Sequence, residues 1–202
     1  MRAPVLCLMT LIYAVLFAAP TRGNIVENPS FELSPRFDRF TGWVSKDVER
    51  MGPYIDSADG YQSVDLAKRE SGWIEQVLIT EPDAHYTLSF ALSANIYEHR
   101  EVTRRVQVTW GTADLGIFTW NQLGEEAPRE ARFERYTFLN LRAASVLTLL
   151  RFEDLSDTSG YGMVLDDVRV TLQPEGLLIA PVPGSLACGI AIVSLFAVRR
   201  PS

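Results

Sequence analysis

Alternation with a period of two dominates the middle of the chain. In residues 86–93 the large side chains Tyr86, Leu88, Phe90 and Leu92 share one face, while Thr87, Ser89, Ala91 and Ser93 occupy the other. That is the pattern of a strand packing one face on a core. Residues 105–110 repeat it with Val106, Val108 and Trp110, and 136–138 and 146–152 do so with more apolar character. Further strands are predicted at 44–48, 62–66, Trp73–Ile79, 115–119 and Met163–Leu172. Clusters of Asp, Ser, Gly and Pro at 56–60, 80–83 and 154–162 lie between them, and these residues favour turns for backbone reasons. About ten short strands in roughly 150 residues fit an all-β, two-sheet antiparallel β-sandwich or jelly roll. One short helix is conceivable at 124–132, but Pro128 favours a charged loop there.

The two ends follow other rules. Met1-Arg2 followed by the apolar run 5–18 has the charged start and apolar stretch of a secretory signal, and that run is short for a bilayer span. Residues 1–23 therefore read as a signal peptide cleaved after Gly23, with an uncleaved N-terminal anchor as the alternative. At the other end, a Pro-rich stretch 180–185 leads into the unbroken apolar run 186–198 and then Arg199-Arg200. As a helix, those 13 residues would span roughly 20 Å, less than the roughly 30 Å hydrocarbon core. Residues 177–202 read as a spacer, a short hydrophobic sorting or anchor segment and an Arg tail. The Arg pair would stay cytoplasmic by the positive-inside rule. The domain proper is 24–176.

Charge sharpens this division. Four of the 19 basic residues lie in the two ends, so 24–176 carries 15 against all 25 acids, a net charge of −10. Nucleic acid is excluded as a partner, because phosphate contacts need clustered Lys and Arg. Cys7 and Cys188 both lie in the apolar ends, which leaves the domain without a disulfide or thiolate metal site.

The tail resembles the PEP-CTERM sorting signals of Gram-negative and related bacteria, which an exosortase, a membrane transpeptidase-like enzyme, processes during export. Pro181-Val182-Pro183-Gly184-Ser185 stands where Pro-Glu-Pro usually stands, so the signal is degenerate. The resemblance implies transient membrane anchoring and a sorting protease on the tail; a plain C-terminal anchor is the alternative. The domain resembles the choice-of-anchor C family. The ordered set is Asn28-Pro29-Ser30-Phe31-Glu32, Gly42-Trp43, the run 59–66, Ile74-Glu75-Gln76, the run 86–95 and the closing run 161–170. Pro29 replaces the family's usual glycine. That family is similar to galactose-binding-like jelly-roll carbohydrate-binding modules, which implies the same fold and, more loosely, glycan binding, since a fold does not carry function with it.

In those modules the glutamate of the first motif and an aspartate of the closing one help hold a structural calcium. Carried over, this nominates Glu32 and Asp166 as side-chain ligands and the carbonyl of Asn28 as a further one, a set of hard oxygen donors suited to calcium. The alternative is that Glu32 and Asp166 are ordinary turn or edge residues. Of the four tryptophans, parity places Trp110 in the core, and Trp43 follows a turn glycine. Trp120 and Asn121 end a strand near the charged loop, with Tyr97, His99 and Arg100 in another connection. These five are the candidate sugar-binding residues, with hydrophobic capping as their alternative role. No Gly-x-Ser-x-Gly, His-Glu-x-x-His or P-loop occurs, so the chain reads as a non-enzyme. The expectation is an exported protein of a bacterial cell envelope, surface or extracellular matrix that binds a polysaccharide or matrix glycan. A purely structural surface protein is the main rival and a glycoside hydrolase a more distant one.

Overall fold

The computed structural model describes residues 23–97, 102–122, 131–156 and 160–174. Ten strands run in chain order: β1 (Val44–Lys46), β2 (Glu49–Arg50), β3 (Val64–Asp65), β4 (Trp73–Ile79), β5 (His85–Ala94), β6 (Val102–Trp110), β7 (Ala113–Gln122), β8 (Glu134–Arg142), β9 (Leu147–Asp154) and β10 (Met163–Leu172). They form two five-stranded antiparallel sheets, β1-β4-β9-β6-β7 and β2-β3-β10-β5-β8, and the described residues contain no helix. The protein is a two-sheet β-sandwich of jelly-roll type.

Alternation decides which side chains meet between the sheets. Tyr86, Leu88, Phe90 and Leu92 of β5 are buried, as are Val106, Val108 and Trp110 of β6, Ile74 and Leu78 of β4, and Leu150 and Phe152 of β9. Phe90 is central: Phe152 meets its ring edge-on at 5.0 Å and Phe118 does so at 5.4 Å. Each such side chain, fully buried, contributes on the order of 1.5–3 kcal/mol, so this aromatic centre fixes both register and sheet spacing.

The sequence reading departs from the structure at short strands. The predicted 44–48 strand breaks at Asp47, which lies in the left-handed region at φ 50°, a conformation that Asp tolerates better than most residues. The chain thereby passes from β1 in one sheet to β2 in the other. The predicted 62–66 strand shrinks to Val64–Asp65, while β7 and β8 extend beyond 115–119 and 136–138. The 124–132 segment lies largely outside the described residues.

Antiparallel pairing gives the sandwich two distinct ends. Ile79 pairs with Leu147, and Tyr86 with Leu172, so one end carries the β4–β5 turn, the start of β9 and the point where the chain leaves β10. At the other end Ala94 pairs with Met163, and Asp154 pairs with Val106 near the start of β6.

Candidate functional site

Two of the three calcium candidates, Glu32 and Asp166, hold the 56–62 loop. One Asp166 oxygen accepts hydrogen bonds from the amides of Ala58 (2.6 Å) and Asp59 (2.9 Å), and the other accepts from the Asp167 amide (2.6 Å). Glu32 Oε1 accepts from the amides of Tyr61 (2.6 Å) and Gln62 (2.8 Å). A side chain at Gly60, where φ is +74°, would place its Cβ 2.3 Å from that same Glu32 oxygen. The two carboxylates thus close one loop from opposite sides. Burial pushes the Asp166 carboxyl up to about 7, outweighing the amides that favour its charged form.

The Asn28 carbonyl accepts from Phe31 N and from Trp43 Nε1, both at 3.2 Å, and its side chain ties Leu33 and Thr41. Asn28 therefore organises the opening turn, with both carbonyl lone pairs taken. The donor set is hard oxygen, as calcium requires, and two oxygens beside it, Gln62 Oε1 and Ser63 Oγ, are buried without a hydrogen bond. Ser63 continues toward Asp166 the ladder in which Val64 pairs with Leu165. Against this, the oxygens of Asp166 are committed to amides. No group of three or more His, Cys, Asp or Glu residues among the described residues is placed to hold a metal ion.

A second constellation occupies the end where β5 finishes and β10 starts. Arg104 is fully buried, on the core face shared with Val106, Val108 and Trp110. Its Nε donates to the Tyr161 carbonyl (2.8 Å) and its Nη2 to the Asn95 carbonyl (3.2 Å). Asp65, also fully buried, accepts from Ala67 N (2.7 Å), Gly162 N (3.1 Å) and Asn95 Nδ2. Asn95 N in turn donates to the Gly162 carbonyl at 3.2 Å. The connections after β5 and before β10 are thus stapled together by a buried guanidinium and a buried carboxylate. Burial pushes Asp65 up to about 7, and nearby Asp154, itself raised by burial, adds to the shift.

This network carries exposed aromatics. Tyr97 is 44% exposed; its amide donates to Asn95 Oδ1 (2.9 Å) and its hydroxyl to the carbonyl of Tyr54 (2.8 Å), which is 67% exposed. Tyr161 is 44% exposed and sits at φ 60° between Gly160 and Gly162. A bulky residue in the left-handed region is an outlier, and such strain persists only where the surroundings hold it. Here the Arg104 bond to its carbonyl does so.

Of the five sugar-binding candidates, Tyr97 belongs to this end. Trp120 stands opposite Arg104 in the β6–β7 ladder but is half-buried and packs on the core, so it supports the end from within. Asn121, the next residue, faces the other side of the strand, where its Oδ1 accepts from Thr103 Oγ1 (3.0 Å). His99 and Arg100 lie outside the described residues. Tyr54, Tyr161 and Arg104 were missed by the sequence reading. Arg104 carried a usable signal, a charge on the apolar parity of its strand, and the Gly-Tyr-Gly of 160–162 was another.

The all-β jelly-roll class is shared with proteins of different activity. A family 61 carbohydrate-binding module solved with β-1,4-galactotriose superposes with a TM-score of 0.53 at 15% identity, covering 74% of this chain and 99% of that one. A cyclase from Fischerella sp. in its apo form superposes with a TM-score of 0.51 at 15% identity, covering 76% and 97%. Among curated proteins, halomucin of Haloquadratum walsbyi (strain DSM 16790 / HBSQ001) is 29% identical over 189 residues, 83% of this chain. The chain spans 2% of halomucin's length. No family model matches the chain.

Proposed function

We propose that the protein is an exported, non-catalytic glycan-binding module of a cell surface or extracellular matrix, and that it binds sugar at the end bearing Tyr54, Tyr97 and Tyr161. One observation carries the reading: exposed tyrosines stand on a connection held by fully buried Arg104 and Asp65. Burying a guanidinium and a carboxylate is costly, and fixing aromatic rings in advance lowers the ordering cost of binding. A pyranose face packs on an aromatic ring while hydroxyls find polar groups at the rim. The fold shared with a galactotriose-bound module supports a sugar as the ligand class. The cyclase likeness shows that the fold alone does not choose between binding and catalysis. Export rests on the N-terminal segment, and sorting and transient anchoring on the PEP-CTERM-like tail.

A glycan array with the full chain tests the site. Binding should fall at least tenfold in Tyr97→Ala and in Tyr161→Ala, with both variants folded. Binding that both variants retain would move the site elsewhere. Calcium at the Glu32 corner is a separate part of the proposal, supported by the unpartnered Gln62 and Ser63 oxygens. A melting temperature that rises with millimolar calcium, and no longer does so in Glu32→Ala, is the expected result; an unchanged melting temperature would remove the ion.

A further inference from the structure

The end of the sandwich opposite the tyrosines has a different surface. On the outer face of the first sheet, Val77 pairs with Leu149 and Ile79 with Leu147 across β4 and β9. These four side chains form one contiguous apolar block, in which Ile79 is 81% exposed and Val77 and Leu147 are each more than half exposed. Val146, just before β9, is equally exposed and accepts at its carbonyl from Thr80 N (2.9 Å). Single exposed apolar residues are ordinary, whereas a contiguous group of this kind marks an interaction surface.

The path of the chain indicates what covers it. Gln173 N donates to the His85 carbonyl at 2.8 Å, and His85 lies just beyond the turn that follows Ile79. The chain therefore leaves the domain at the end where the block lies. The residues that follow include the uncharged, mainly apolar run 186–198, followed by Arg199-Arg200, with no acid after Glu175. Eleven residues lie between Pro174 and the first residue of that run, Leu186, a tether that reaches at most about 40 Å when extended. The anchoring proposed for this tail places the run in lipid, which brings the apolar block within reach of the same bilayer. The exposed charges at this end do not oppose contact with a zwitterionic surface: Asp83 is paired with Arg142, and Glu81 has interaction partners of its own.

We infer that the Val77, Ile79, Val146, Leu147 and Leu149 surface rests on the lipid bilayer that receives the 186–198 segment, so that the domain lies against the membrane with its tyrosine-bearing end directed away. This inference rests on the anchoring proposed for the tail and is independent of glycan binding.

The full chain, carrying the photo-reactive residue p-benzoylphenylalanine in place of Ile79, would be reconstituted into phosphatidylcholine vesicles and irradiated. The expected products are protein–lipid adducts at that position, at least tenfold more abundant than with the same probe at Tyr97. A probe at Leu147 repeats the test if the first substitution disturbs folding. Adducts to residues 175–202, adducts to a second copy, no lipid adducts, or equal lipid labelling at both ends would each overturn the inference.

Discussion

The two ends of the sandwich are built on opposite principles. At the tyrosine end, charged groups are buried and aromatic rings are exposed: Arg104 and Asp65 lie inside, with Tyr54, Tyr97 and Tyr161 outside. Among the described residues the exit end buries no charge, and beside the exposed Asp83–Arg142 pair it presents aliphatic side chains: Val77, Ile79, Val146 and Leu147. The first arrangement holds backbone in place at an energetic cost, as a site with specific geometry requires. The second presents an aliphatic surface, which suits a partner lacking geometric detail. On the proposed function, one jelly roll would direct a geometrically fixed surface and an aliphatic one to opposite ends of the same strands.

The largest effect is expected from removing the buried cation. Arg104→Met keeps the length and apolar stem but leaves the Tyr161 and Asn95 carbonyls without their guanidinium. The expected loss is about 2–4 kcal/mol in chemical denaturation, since each buried acceptor left unsatisfied costs about 1–3 kcal/mol. A loss below about 1 kcal/mol would mean that the guanidinium is not fixing this end.

The buried carboxylates add a pH dependence of unusual sign. Asp65 and Asp166 each titrate near 7 in the folded protein, against 3.8 unfolded, because burial disfavours their charge. Between those values the folded state holds protons that the unfolded state has released, so stability falls as pH rises. The contribution is fully present below about pH 4 and lost through pH 7. Each group contributes at most about 4 kcal/mol, from the conversion of a pKa shift to energy. Denaturation midpoints should therefore be higher at pH 5 than at pH 8, and Asp65→Asn should flatten the slope. A midpoint that rises with pH would show that both carboxylates are ionised in the fold.

Much of the fold was legible because period-two alternation survives wherever a strand is long. Residues 86–92 and 106–110 reported their buried faces correctly, and Trp110 was placed in the core. Short strands escaped because two or three residues hold too little alternation, and their partners are remote: β3 is defined by Val64 opposite Leu165. The tyrosine end was legible only in part. Tyr97 stood out as an aromatic in a connection, but Tyr161 acquires its position from Arg104, 57 residues away, and no local pattern encodes that bond. Asn121 misled because adjacency in sequence to Trp120 places it on the opposite face.

A smaller effect is expected at Gly162. An added Cβ would meet Ala67 Cβ at 2.7 Å and Asp154 Oδ2 at 2.8 Å, so Gly162→Ala should cost about 1–3 kcal/mol by overpacking. It should also shift Tyr161 and weaken glycan binding. Unchanged stability would show that the connection before β10 yields, which contradicts the rigidity attributed to this end.

The smallest stability effect belongs to the exit end, and its smallness is informative. Ile79→Ser and Leu147→Ser remove exposed aliphatic groups that pair across β4 and β9 on the outer face. Surface changes of this kind usually alter stability by no more than about 0.5 kcal/mol, with a small further loss from the weakened cross-strand pair. The double variant should therefore unfold within about 1 kcal/mol of the parent in aqueous buffer, while its retention on phosphatidylcholine vesicles drops. If the double variant instead loses several kcal/mol in buffer, the block is packed within the fold rather than presented to a partner, and the two ends would not differ in kind.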